Sequence, residues 1–327
     1  METDIHICPS LLRETGGESG YSPKALKQLF DGENISCELP YKHFDDNVGI
    51  DIFNNNSKRI SVSGVQIKYS LVADDGILRL TKEGEQGEFI LKPVPNNLRN
   101  KEFCPANEHL TMQIASQIFG IKTAANAICF FQNGTPAYIT RRFDVTKNGK
   151  LKMEDFASII GKTPNDGHNF KYNSSYEDIA ISIRKYIPAW RIEIVKFFKL
   201  VLFNYIVANG DAHLKNFAIL ETPFGDSILS PAYDLMNTAL HINDAPFALS
   251  SGLFKDGPMT EISRETFRRF AIKIGLSEQS TDKILSDFIS GKTLDEIEAL
   301  TTKSFLRTTM QKRYLSIVRK RMEILKQ

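Results

Sequence analysis

Asn209-Gly210-Asp211-Ala212-His213-Leu214-Lys215-Asn216 separates two apolar runs, Phe197 to Val207 before it and Phe217 to Leu220 after it. Asp211 and Asn216 therefore lie five residues apart on a loop between buried elements, where a carboxylate and a carboxamide can converge on one point. Phosphoryl transfer uses that pairing: a carboxylate orients or deprotonates the attacking hydroxyl, and an amide oxygen holds a metal on the phosphates. Read alone, Asn-Gly-Asp is also an ordinary turn linking two elements, because all three residues favour turns. Further on, Asp234 in Ser230-Pro231-Ala232-Tyr233-Asp234-Leu235 follows a hairpin expected from Phe217 through Ser227. Alone it reads as a cap. Shortly after D-x-x-x-x-N, it reads better as a second magnesium ligand, since hard cations choose oxygen and take one or two carboxylates plus phosphates.

Upstream, Lys92 closes the apolar run Phe89-Ile90-Leu91 and precedes Pro93. A lysine on such a strand can meet phosphates or an acid, or can be an edge-strand lysine that discourages aggregation. Glu108 follows in a helical pattern in which Leu110, Ile114 and Ile118 share one face, with Asn107 expected as its cap and Gly120 at the C′ position. Pairing with Lys92 and complementing the helix dipole are both open to it. Ser61-Val62-Ser63-Gly64-Val65-Gln66-Ile67-Lys68 is a short polar turn between β-like segments, whose backbone N–H groups and hydroxyls can cover phosphates. With one glycine it is not G-x-G-x-x-G, and alone it would pass for an ordinary Ser/Gly hairpin.

The rest of the 327 residues bounds the answer. Hydrophobic residues at 42% can build a sizeable core, and 41 basic against 39 acidic residues leave a net charge of +2. That balance gives no strong field for gripping nucleic acid or an anionic membrane, so direct nucleic-acid binding is not expected. Cys8, Cys37, Cys104 and Cys129 form no C-x-x-C pair, which argues against a disulfide scaffold or zinc knuckle. The acidic start METDIHICPS does not resemble a signal peptide, and Phe197 to Val207 is too short to span a bilayer. A cytoplasmic protein is expected, with no membrane association. Residues 1–58 read as an irregular N-terminal segment with one helix around Pro23 to Phe30; 59–142 as a β-rich lobe with a hairpin at Asn133-Gly134; 143–327 as a helical lobe with helices over Trp190–Val207, Thr260–Ile274, Thr281–Ile289 and Lys303–Leu325.

Taken together, phosphate loop, strand lysine, helix glutamate, D-x-x-x-x-N and metal acid follow the order of a protein-kinase-like phosphotransferase. The blocks Ser61 to Leu71, Phe89 to Pro93, Asn107-Glu108 with Met112 and Gly120, Arg142-Phe143-Asp144, Glu154-Asp155, Asn209 to Asn216 and Tyr233-Asp234 resemble the HipA-like serine/threonine kinases of bacterial toxin–antitoxin systems. The resemblance implies an α+β, two-lobed protein-kinase-like fold, ATP and magnesium as cofactors, and a protein substrate such as an aminoacyl-tRNA synthetase, with an antitoxin as partner. It implies Asp211 as the catalytic residue, Asn216 and Asp234 as metal ligands, and Lys92 on the ATP phosphates with Glu108 beside it. It places Ser63, Gly64 and Val65 in the phosphate loop, Arg141 and Phe143 in the adenine hinge, and Ser61 or Ser63 as the autophosphorylated serine. His213 and Lys215 compete for the γ-phosphate, with His213 grouped among the ATP contacts. The phosphate loop begins too early for the extra N-terminal subdomain of longer members, so a short form is expected, and the first 40 residues resemble a degraded cysteine-containing segment of some relatives, without zinc. H/N-G-D-x-x-x-x-N is shared with aminoglycoside and choline kinases, which makes a small-molecule phosphotransferase the alternative. A catalytically silent binding module is a further one.

Overall fold

Short, largely apolar runs bounded by turn residues in the first half form a five-stranded antiparallel sheet in the order β2-β1-β3-β5-β4. Its strands are β1 (Tyr69–Asp74), β2 (Ile77–Leu80), β3 (Phe89–Lys92), β4 (Asn126–Phe130) and β5 (Pro136–Arg141). Asp75 and Gly76, both with positive φ (48° and 79°), join β1 to β2 with Asp74 facing Ile77, the tight hairpin that the sheet twist favours. The Asn133-Gly134 hairpin joins β4 to β5 through five residues, with Gly134 at φ 80° and Asn133 Oδ1 accepting from Thr135 N at 3.0 Å.

The computed structural model describes residues 6–15, 20–42, 67–96, 98–243, 245–257 and 261–327. Among them, Pro23–Phe30 forms helix α1, started by Ser22, whose hydroxyl accepts from Ala25 N, and stopped by Asp31 at φ 55°. Its Ala25, Leu29 and Phe30 enter the same apolar core as Leu71, Phe89, Leu91 and Ile139 of the sheet. Phe30 packs on Phe89 with ring centroids 5.2 Å apart. Cys8, Cys37 and Cys129 join this core as free buried thiols, and Ser22 N donates to Cys8 Sγ at 3.3 Å. Of the early segment, Cys8, Leu11, Tyr21, Ala25, Leu29, Phe30, Ile35, Cys37 and Leu39 thus belong to this core.

Helix α2 (Cys104–Gln117) begins three residues before the expected cap. Asn107 is fully buried inside it, its carbonyl accepting from Thr111 Oγ1 at 2.8 Å, because a 3₁₀ turn over Lys101–Phe103 feeds the helix directly. The far end behaves as read: Gly120 takes φ 61° and Ile121 N closes on Ala115 O at 2.9 Å.

Backbone contacts divide the chain into two units, the first drawn from Met1–Gln113, Ala124–Phe143 and Leu300–Arg307, the second from Ile114–Thr123, Asp144–Ala299 and Thr308–Gln327. The second unit is largely helical. After the two-residue ribbon β6 (Val145–Thr146) and β7 (Gly149–Lys150) come β8 (Met153–Asp155), α3 (Phe156–Ile159), α4 (Tyr176–Tyr186) and the long core helix α5 (Trp190–Ile206). Strands β9 (Ala218–Glu221) and β10 (Ser227–Leu229) form the expected hairpin, and β8 adds a third strand to it. Glu193 of α5, buried, accepts from Leu229 N at 3.1 Å and so ties the hairpin to the helix. Helices α6 (Arg264–Lys273), α7 (Glu278–Phe288), α8 (Gly291–Thr302) and α9 (Thr308–Ile324) complete the chain. No helix among the described residues is long and apolar enough to cross a membrane.

Candidate active site

The loop after α5 is held by its own backbone. Ala208 turns at φ 52°, and Asn209 N returns to Asn204 O at 2.8 Å while its side-chain amide donates to Asn204 Oδ1 at 3.0 Å. Thr238 supplies the second anchor: its hydroxyl donates to Ala208 O at 3.0 Å and accepts from Gly210 N at 2.8 Å. Tyr176 of α4 adds a third by donating to Ala212 O at 2.9 Å. Most of these bonds engage the loop's backbone, and Ala208 O accepts from Thr238 N at 3.1 Å as well, so the loop has little freedom.

On this frame Asp211 remains about half exposed, at 52% of its side chain, and Tyr172 donates its phenol hydrogen to Asp211 Oδ1 at 2.6 Å. Asn216 lies in the 3₁₀ turn Leu214–Asn216; its Oδ1 accepts from His213 N at 3.2 Å and its Nδ2 donates to Asp234 Oδ2 at 3.2 Å. Asp234 sits at φ 61°, a conformation uncommon outside glycine and found where surroundings impose it. The carboxylate and carboxamide separated by 18 residues are thus in direct contact. They suit a hard cation: Asp234 offers carboxylate oxygens, and Asn216 Oδ1 keeps a second lone pair beyond its backbone bond. Among the described residues no group of three His, Cys, Asp or Glu side chains gathers as a metal cluster. A magnesium site made of one carboxylate, one carboxamide, phosphates and water needs none.

His213 is buried, and burial together with Lys171 pushes its pKa down to about 3, against an opposing pull from Asp234. The imidazole is neutral at neutral pH, so its 4.0 Å approach to Asp211 Oδ1 is no ion pair. Its Nδ1 is buried without a hydrogen-bond partner among the described residues. A neutral ring can exchange hydrogen bonds with a phosphate but brings it no charge. Lys215, half exposed, lies 3.8 Å from Asp155 Oδ2, and Tyr233 donates to its carbonyl at 2.7 Å.

In the first unit, Lys92 and Glu108 meet: Nζ to Oε1 is 2.6 Å, with side chains 5% and 1% exposed. Because β3 lies between β1 and β5, Lys92 is no edge-strand lysine. Its ammonium also stands 5.5 Å from the Tyr138 ring centroid. Arg141 is engaged elsewhere, its guanidinium gripping both carboxylate oxygens of Asp31 at 2.7 Å and so tying β5 to the end of α1. Phe143 is half-buried where the first unit's second segment ends. Ser61, Ser63, Gly64 and Val65 lie outside the described residues. Tyr172, Asn204 and Thr238 escaped the sequence reading, since none shares a motif with the loop it supports.

These features are those of a protein-kinase-like fold, and the comparisons agree. The model of the HipA-like C-terminal domain matches residues 60–293, and the chain belongs to that family. A Haemophilus influenzae protein named "Putative kinase" is 26% identical over 336 residues, an alignment covering 96% of this chain and 95% of that one. Among solved structures, a chain of the Shewanella oneidensis MR-1 complex of HipA, HipB and operator DNA superposes with a TM-score of 0.66 at 19% identity over 82% of this chain. This chain spans 65% of that chain's length. The Helicobacter pylori proinflammatory kinase CtkA follows, with a TM-score of 0.50 at 12% identity, covering 76% of this chain and 90% of that one.

Proposed function

We propose that this chain is an ATP- and magnesium-dependent serine/threonine protein kinase of the HipA toxin type. The observation that carries the reading is the anchored loop presenting an accessible Asp211 five residues ahead of an Asn216 that hydrogen-bonds Asp234. Asp211 orients the acceptor hydroxyl and takes up its proton as the oxygen attacks the γ-phosphorus, the bond from that phosphorus to the β,γ-bridging oxygen breaks and ADP leaves. Asn216 and Asp234 hold magnesium, which neutralises phosphate charge when bound. Lys92, kept in place by Glu108, contacts the phosphates, and Ser63, Gly64 and Val65 cover them with backbone N–H groups. Arg141 and Phe143 border the adenine, with the Arg141 guanidinium remaining on Asp31. Neutral His213 donates its ring N–H to a phosphate oxygen without adding charge.

The resemblance supports a protein substrate, an aminoacyl-tRNA synthetase being the class it names, an antitoxin partner like the HipB of the Shewanella complex, and self-phosphorylation on Ser61 or Ser63. Phosphoserine there adds about −1.5 to −2 charges beside the nucleotide's phosphates and would repel it. The deciding experiment incubates wild type and Asp211→Asn with γ-labelled ATP, magnesium and a bacterial extract. A labelled protein band that depends on Asp211 supports the reading; label appearing equally with both chains, or only on small alcohols, overturns it.

A further inference from the structure

Tyr172 lies 39 residues before Asp211, in the 3₁₀ turn Phe170–Tyr172, and no motif ties it to the site. Its hydroxyl nevertheless gives the short 2.6 Å bond to Asp211 Oδ1, the kind of charge-assisted contact that fixes a carboxylate's rotation. The ring that carries this hydroxyl is itself fixed. It packs edge-on against His213, centroids 5.2 Å apart at 79°, and Lys171 Nζ lies 5.0 Å from its centroid. Its carbonyl accepts from Ser250 N at 2.9 Å and Ser174 N at 3.0 Å, anchoring the turn at the backbone. A half-exposed aspartate on a loop samples several rotamers, and catalysis by a positioned base loses force with each unproductive one. His213 cannot hold the carboxylate in Tyr172's place, its Nε2 standing 4.0 Å from Asp211 Oδ1, beyond hydrogen-bond distance.

We propose that Tyr172 is a positioning residue: it locks Oδ1 of Asp211 so that the carboxylate is presented in one orientation to the acceptor hydroxyl. The inference rests on Asp211 acting as the base of phosphotransfer. A phenol that merely blocked the acceptor's place would be displaceable; this one is clamped by its ring and its backbone. It acts before the acceptor arrives and takes no part in the bond changes at phosphorus.

The test compares wild type, Tyr172→Phe and Asp211→Asn in steady-state transfer to the labelled substrate, with MgATP affinity and Tm measured on each. Tyr172→Phe keeps the ring against His213 and deletes only the hydroxyl. It is expected to lower kcat about tenfold with KM for ATP and Tm unchanged. Unchanged kcat in Tyr172→Phe beside an inactive Asp211→Asn would refute the positioning role alone, and so would a raised kcat or a lowered KM for the protein substrate, the signs of a removed block. An active Asp211→Asn would instead remove the reading on which the inference rests. Should Tm fall in Tyr172→Phe, Tyr172→Trp, which retains a ring and a donor, separates the two effects: recovered Tm with kcat still low supports positioning by this hydroxyl, while kcat recovered in step with Tm makes the role structural.

Discussion

The Lys92–Glu108 pair and the Asp211 loop solve opposite problems with charge. The first is a salt bridge in nearly dry surroundings, built by a central strand and a helix, both side chains at or below 5% exposure. The second leaves its carboxylate half in water, held by a phenol, on a loop that a threonine and the loop's own backbone anchor. A buried pair gains definition from the cost of separating it, whereas a half-exposed acid must be held by uncharged donors if it is to stay available. One region should therefore report mutations chiefly through stability, the other chiefly through rate.

The largest expected effect breaks the buried pair. Lys92→Met leaves Glu108 without its cation in an apolar site and should cost about 3–5 kcal/mol. Replacing both, as Lys92→Met with Glu108→Leu, should recover most of that in denaturant titrations while transfer stays lost. Equal stability of single and double variants would show that the pair's burial is not what costs. Next, Asp211→Asn should reduce transfer on the order of 10²-fold or more, with Tm unchanged within error, since the side chain is half in solvent. A fall in Tm comparable with that of Lys92→Met would erase the contrast between the two regions.

The metal pair gives a smaller effect. Asp234→Asn keeps the shape and tolerates the backbone at φ 61°, so the lost charge is read without added strain. Calorimetry should show MgATP bound about tenfold more weakly than by Asp211→Asn, because Asp234 is proposed to hold the metal and Asp211 the acceptor. Equal affinities would return Asp234 to a structural cap.

The last effect concerns pH, and per pH unit it is no larger than the tenfold change in MgATP affinity. His109, fully buried and bonded through Nε2 to Ser10 O at 2.8 Å, has its pKa pushed down to about 4 by burial. Between pH 6.5 and 4 the unfolded chain binds a proton there that the folded chain refuses. Its contribution is therefore intact above pH 6.5 and is lost as pH falls, by roughly 1.4 kcal/mol per pH unit. His109→Gln should lose that slope in urea titrations across the window, and an unaltered slope would locate acid sensitivity elsewhere.

The sequence showed the site's order more clearly than its support. Asp211, Asn216 and Asp234 were legible because turn formers stand between strongly apolar runs, and the β9–β10 hairpin is bounded by the same contrast. Helix α1 was legible to its ends, through Ser22-Pro23 at the start and Asp31-Gly32 at the stop. Strand β8 was not, since three residues, Met153–Asp155, carry no periodicity and owe their state to Ala218, Ile219 and Leu220 across the ladder. Helix α8 was also missed, because Gly291 opens it and only Ile297 and Thr301 are fully buried. The start of α2 was misplaced because Asn107 has the chemistry of a cap, and only tertiary burial shows it as an interior residue. The supports of Asp211 were hidden for the same reason: Tyr172 and Thr238 meet the loop through the fold alone.

The left-handed backbone at Asp234 has a consequence for how lineages of this chain can decay. A side chain with a β-branch or a bulky stem is strained at that φ, and alanine adds its own smaller penalty, whereas asparagine and glycine enter freely. Once selection on the chemistry relaxes, random substitution should pass first into Asn or Gly at this position, because these leave the folded chain intact. Inactive descendants would then carry a polar or empty residue there beside an undisturbed Thr238, and drift toward valine or leucine would appear only where the loop itself has come apart.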